Sequence, residues 1–192
     1  MERYFSRVEG NAFTDRVAEA LLKNVITYAK SALVNAHDYE AMSELMWCGS
    51  VSHSGLTGLG RPKDFAAHKL GHELSGRFDV AHGASLTAVW GSWARYVYED
   101  QPQRFAQFAE RICGVNAGRP EEKARAGIRQ TEAFFLSLGM PICFTELGIG
   151  VQDAESLAYL ADMCTDFGRK KVAAFRPLDR QMVLDIYQLA NH

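Results

Sequence analysis

No apolar run in this sequence approaches the roughly 20 residues that a helix needs to cross a bilayer, so a spanning helix is excluded. Charge of one sign is also missing. The 21 Lys and Arg nearly balance 23 Asp and Glu, leaving a formal net charge of −2. No basic face is therefore expected to draw nucleic acid or an anionic membrane. Cysteine is sparse: Cys48, Cys113, Cys143 and Cys164 are scattered without paired spacing, which fits reduced thiols better than a disulfide frame. The start, Met1-Glu2-Arg3-Tyr4-Phe5, lacks the basic, apolar and small-residue zones of a signal peptide. A cytoplasmic location is the expectation. Period-two alternation is absent too, since its nearest approach, Ile142-Cys143-Phe144, is too short for a strand. There is no internal repeat, low-complexity tract or block of like charge.

What remains is helical spacing. The 192 residues suit a single domain, 1–192, and a 47% hydrophobic content is enough for a real core. Val17, Leu21, Val25 and Tyr28 recur at three- and four-residue steps, with Asn11 or Thr14 as the cap. A second helix is expected from near Asp38, with Met42, Leu45 and Met46 inward. A third runs from about Asp64 to Ser75, after the breakers Gly58, Gly60 and Pro62. Leu86, Val89, Trp90, Trp93 and Val97 mark a fourth, which stops before Gln101-Pro102. Phe105, Phe108 and Ile112 mark a fifth, ended by Gly114. The sixth spans Pro120 to Leu138, with proline in the first turn and Glu121-Glu122 at the positive helix end. Shorter helices follow over about Asp153 to Phe167 and Asp179 to Ala190. The expected fold class is all-α, a helical bundle of roughly seven to nine helices.

Three of the six histidines, His68, His72 and His82, fall within fifteen residues. His68 and His72 are four apart on the third helix and share a face. His82 follows an expected break at Arg77 to Ala81, and a chain reversal there folds it back toward His68. Neutral imidazoles are good ligands for a divalent first-row metal. Two histidines four apart are also common by chance, and either one can simply be packed or solvated. The string is not the zinc-protease motif, because no glutamate directly follows the first histidine. His53 reads as a loop or helix-end residue, and His37 and His192 as surface positions.

The run Asp64-Phe-Ala-Ala-His-Lys-Leu-Gly-His-Glu-Leu-Ser-Gly-Arg-Phe-Asp-Val-Ala-His-Gly-Ala-Ser-Leu-Thr-Ala88 closely resembles the histidine motif of iron-containing alcohol dehydrogenases. Its Leu-Gly-His-Glu-Leu core looks like the branch of butanol dehydrogenases and related aldehyde reductases. The resemblance extends to Glu110-Arg111, Phe134-Phe135-Leu136-Ser137-Leu138-Gly139 and Asp185-Ile186-Tyr187. It implies the helical, metal-binding C-terminal domain of that family, of dehydroquinate synthase-like fold. It also implies metal ligation by His68 and His82. His72 would line the pocket near nicotinamide and substrate and take part in proton relay, as both a catalytic and a cofactor-binding residue. The implied cofactors of the full enzyme are Fe2+ (or Zn2+) and NAD(P), and the implied substrate is a small alcohol or aldehyde.

The same resemblance defines what this sequence lacks. No glycine-rich turn joins a strand to a helix; Gly55-Leu56-Thr57-Gly58-Leu59-Gly60 sits between helices. The family's nucleotide-binding domain is thus expected to be absent. So are two further ligands, an aspartate and a histidine four apart, which the family carries on the helix entering the metal domain; by the resemblance, Met1-Glu2-Arg3-Tyr4-Phe5 begins just after that pair. Asp15 and His37 do not replace them, because their surroundings differ. Two imidazoles leave most of a metal's coordination sphere unfilled, since catalytic sites use about three protein ligands or more. Weak or absent metal binding, little or no activity alone, and an exposed, partly apolar face are the expectations. That face would favour self-association or docking of the missing domain. Two rivals stand beside this reading: a helical metal-dependent hydrolase drawing on Glu73 or Asp79, and a non-enzymatic helical interaction module.

Overall fold

A computed structural model describes residues 1–192. Eight α-helices follow one another: α1 (Ala12–Val34), α2 (Tyr39–His53), α3 (Ala66–Phe78), α4 (His82–Val97), α5 (Pro102–Arg111), α6 (Pro120–Ser137), α7 (Ala154–Cys164) and α8 (Arg180–Ala190). There is no strand, and residues 142–144 form none. The only β pairing is an isolated bridge between Val172 and Leu178. The all-α expectation is correct. No helix is long and apolar enough to cross a membrane.

The helix boundaries have local causes. Asp38, Asp153 and Asp179 cap α2, α7 and α8 by accepting from the backbone N–H of Ala41, Ser156 and Met182. Pro102 and Pro120 occupy first-turn positions, where a missing N–H costs nothing. Asn11 precedes α1 but does not cap it. Its amide instead donates to the Leu59 carbonyl at 2.5 Å, tying α1 to the loop before α3. Gly55–Gly60 forms that loop, with a short 3-10 turn at Leu56–Gly58.

α4 lies at the centre, packed against α3, α6 and α8. Its Val89, Trp90, Trp93 and Val97 are buried at helical steps. Into the middle of this layer comes Phe5, wholly buried, from the segment that precedes α1. Its ring stacks on Phe105 at 4.5 Å and meets Trp93 edge-on at 5.5 Å.

Two expected faces need correction. On α2 the buried residues are Ala41 and Cys48, with Leu45 half-buried, while Met42 and Met46 face outward. α2 packs on α1, and the small Ala41 and Cys48 let the two backbones come close. On α1 the stripe Val17, Leu21, Val25 and Tyr28 is only half-buried. The fully buried face is Thr14, Asp15, Ala18 and Glu19.

That polar face is satisfied by an ionic network. Asp15 accepts from Arg104 at 2.6 Å, from Gln107 at 3.0 Å and from the buried Arg61. Glu19 accepts from the Tyr4 hydroxyl at 2.8 Å and from Arg111 at 3.0 Å. Burial by itself pushes the Asp15 carboxyl up. The hydrogen bonds from Arg104, Arg61 and Gln107 outweigh it and hold the group well below the usual carboxylate range.

Candidate functional site

α3 and α4 are joined by the three residues Asp79–Ala81, and this tight reversal builds the site. Asp79 ends α3 in the left-handed conformation (φ 51°), which a short polar side chain tolerates. His68 and His72 lie one turn apart on α3, and His82 is the first residue of α4. The three rings meet. Their centroids are 5.4 Å apart for His68 and His82, 5.1 Å for His72 and His82, and 5.9 Å for His68 and His72.

The helices can approach this closely because Gly71 lies where they cross. A Cβ there would come within 2.7 Å of the Leu86 side chain and 3.2 Å of the Leu86 backbone nitrogen. One turn further on, Ser75 Oγ and the buried Ser85 Oγ are 2.8 Å apart, and Ser85 Oγ donates to the His82 carbonyl. The register of α3 on α4 is thereby fixed.

His68 is half-buried, while His72 and His82 are exposed. Behind His68 stands Glu2, buried at 7% exposure. One of its carboxylate oxygens accepts the His68 backbone N–H at 3.0 Å, and the other is bonded to the His68 ring Nδ1. Phe65 meets the His68 ring edge-on at 5.3 Å, with the Arg3 guanidinium over its own ring. Glu2, His53, Phe65, His68, His82 and Leu86 line an open groove of about 300 Å³. His72 stands beside this groove rather than in its lining. Partial burial, and then the neighbouring His82 and His68, push its pKa below the ordinary histidine value, which favours the neutral ring.

His68 and His82 are the donor type that a divalent first-row ion takes, and they fit part of its shell. No group of three or more His, Cys, Asp and Glu side chains is arranged to hold an ion. Asp15 is committed to Arg61 and Arg104, and His37 is on the surface. Glu73 and Asp79 do not line the groove. His53 ends α2, as its sequence position suggested, with Nδ1 2.9 Å from the Gly49 carbonyl. That it also lines the groove was not visible from spacing, and neither was Glu2. The closing His192 is exposed.

Comparison with known proteins bears on this arrangement. Residues 1–191 match the model of the Fe-containing alcohol dehydrogenase family, C-terminal. The chain is 33% identical over 189 residues to NADH-dependent butanol dehydrogenase A of Clostridium acetobutylicum, covering 97% of this chain and 48% of the relative. It is 27% identical to the NADPH-dependent aldehyde reductase YqhD of Escherichia coli, over 100% of this chain and 49% of the relative. The chain thus spans about half the length of the curated relatives it matches. Among solved structures, the substrate- and cofactor-free form of the same aldehyde reductase superposes with a TM-score of 0.91, over 98% of this chain and 49% of that one. The NADH-dependent butanol dehydrogenase A of Thermotoga maritima gives 0.90 at 26% identity, over 100% of this chain and 49% of that one.

Proposed function

This chain belongs to the Fe-containing alcohol dehydrogenase family, and from that membership we propose that it supplies the metal-facing half of an NAD(P)-dependent alcohol dehydrogenase or aldehyde reductase. The observation that carries the reading is the meeting of His68, His72 and His82 around the α3–α4 reversal, beside an open groove. In this reading His68 and His82 hold a divalent ion, Fe2+ or Zn2+, and His72 serves the proton. When bound, the ion supplies Lewis-acid polarisation of an alcohol or aldehyde oxygen, and the nicotinamide gives or takes the hydride.

The rest is work for the chain's own groups. The α3–α4 register keeps the rings of His68 and His82 on one side of the groove. A neutral His72 can take the proton of a substrate hydroxyl at a ring nitrogen, and it can return that proton during reduction. Phe65 and Leu86 give the groove an apolar wall that suits a short alkyl chain.

The proposed partner is a nucleotide-binding domain, since two imidazoles leave the metal shell open. The chain is read as one helical domain over 1–192, with tight metal binding and full activity belonging to the assembled enzyme. The test is a reconstitution under anaerobic conditions with Fe2+. This chain is mixed with the separately expressed nucleotide-binding half of a butanol dehydrogenase, and NADH-dependent reduction of butyraldehyde is followed. Activity above that of either half, lost in His68→Ala and His82→Ala, supports the proposal. Activity indifferent to both substitutions would sink it.

A further inference from the structure

His68 is the third residue of α3, so its backbone N–H belongs to the first turn, where amides have no partner within the helix. Phe65, at the cap position, offers no side-chain acceptor. Glu2 supplies one from 66 residues away, through Oε1 at 3.0 Å. A carboxylate is favoured at this positive end of the helix. Its second oxygen is bonded to the His68 ring at Nδ1. An ionised carboxylate only accepts, so a neutral ring bonded in this way carries its proton on Nδ1. Nothing ties the other ring nitrogen in this way.

We propose that Glu2 is a positioning residue. Its carboxylate locks the His68 imidazole in the Nδ1–H tautomer and leaves Nε2 with its lone pair free on the groove side. Paired with a carboxylate in this manner, a ligating imidazole has its ring orientation fixed and its basicity raised. The tautomer lock stands on the geometry alone. Its use in holding an ion rests on the reading of His68 as a ligand. The bond also makes the Glu2–Tyr4 turn part of the site's frame, because the same carboxylate caps α3 and orients a ring on it.

The isosteric Glu2→Gln variant separates this from a merely structural role. The His68 backbone N–H can only donate, so it claims the amide oxygen of Gln. The amide NH2 then faces Nδ1 and donates to it, which moves the ring proton to Nε2. The measurement is the side-chain 15N spectrum of His68 in the metal-free chain, about two pH units above the ordinary histidine pKa of about 6.5. The wild type is expected to show a protonated Nδ1, and Glu2→Gln a protonated Nε2, at unchanged far-UV circular dichroism. Zn2+ titration of both proteins is expected to show affinity lower by roughly 10- to 100-fold in the variant. A wild-type ring protonated on Nε2, or an unchanged tautomer in folded Glu2→Gln, overturns the proposal. If Glu2→Gln does not fold, the wild-type tautomer alone decides. Inverted tautomers with equal zinc affinity uphold the positioning role and reject His68 as a metal ligand.

Discussion

Replacing Asp15 with alanine removes the shared acceptor of two buried guanidinium groups. The Arg61 and Arg104 side chains are 1% and 9% exposed, so neither can be rehydrated without opening the structure. Both keep one backbone acceptor, Arg61 the Thr57 carbonyl and Arg104 that of Tyr4. What is lost is the counter-charge. Removing one member of a buried ion pair costs about 3–5 kcal/mol, a large part of the stability that a domain commonly has. Asp15→Asn keeps an oxygen acceptor and gives up the charge-assisted part, about 1.5–3 kcal/mol. Urea unfolding followed by circular dichroism reads both as lowered midpoints at an unchanged slope. Acid dependence gives an independent check. The folded carboxyl is held below its unfolded value of about 3.9. Its contribution is therefore complete above that pH and is lost as pH falls below it. The acid limb of the stability curve should flatten in Asp15→Ala. A loss below about 1 kcal/mol, or an acid limb identical to the wild type's, refutes the argument that these charges depend on one another.

Two glycines of α3 should respond oppositely to alanine. At Gly71 a helix-propensity gain of about 1 kcal/mol opposes an overpacking cost of about 1–3 kcal/mol against Leu86 and Ser85. A net loss of up to about 2 kcal/mol is expected. A Cβ on Gly76 meets nothing within 4 Å, so Gly76→Ala should stabilise by about 0.5–1 kcal/mol. Thermal unfolding compares the pair, and equal stabilisation by both would show that the helices do not cross at Gly71. Phe5→Ala empties the centre of the aromatic cluster and should cost about 3–5 kcal/mol in the same assay; a loss under about 1 kcal/mol would mean Phe5 is not packed there. Trp47, Met46 and Tyr39 are exposed on α2. Sedimentation is expected to show concentration-dependent association that Trp47→Glu reduces, and an unchanged profile in the variant would remove that face from the contact.

The helices were legible because their signals are local. Asp38, Asp153 and Asp179 sit where capping chemistry needs them, and Pro102 and Pro120 where a first turn accepts them. The three-histidine convergence was also legible, since His68 and His72 share one helix face and the short reversal after α3 brings His82 back to them. The inward faces of α1 and α2 were not. Hydrophobic periodicity assigns burial to large apolar side chains, whereas α1 buries Asp15 and Glu19 against arginines 46 to 92 residues away. α2 turns its large Met46 and Trp47 outward and its small Ala41 and Cys48 inward. Glu2 escaped notice for the same reason as Asp15, because its partner lies far along the chain. The family resemblance pointed to His68, His72 and His82, but not to the carboxylate behind the first of them.

The seat of Phe5 has a consequence during synthesis. Phe5 leaves the ribosome well ahead of Trp93, Phe105 and Phe108, the rings that surround it. At about 5–20 residues per second, that interval lasts roughly 5–20 s. For that time an aromatic ring waits in water without its seat, and Glu2, three residues before it, has no settled bracket for α3. The Glu2–Tyr4 turn is thus anchored only after α5 has emerged, and the nascent chain is most open to chaperones or unwanted contacts in that window.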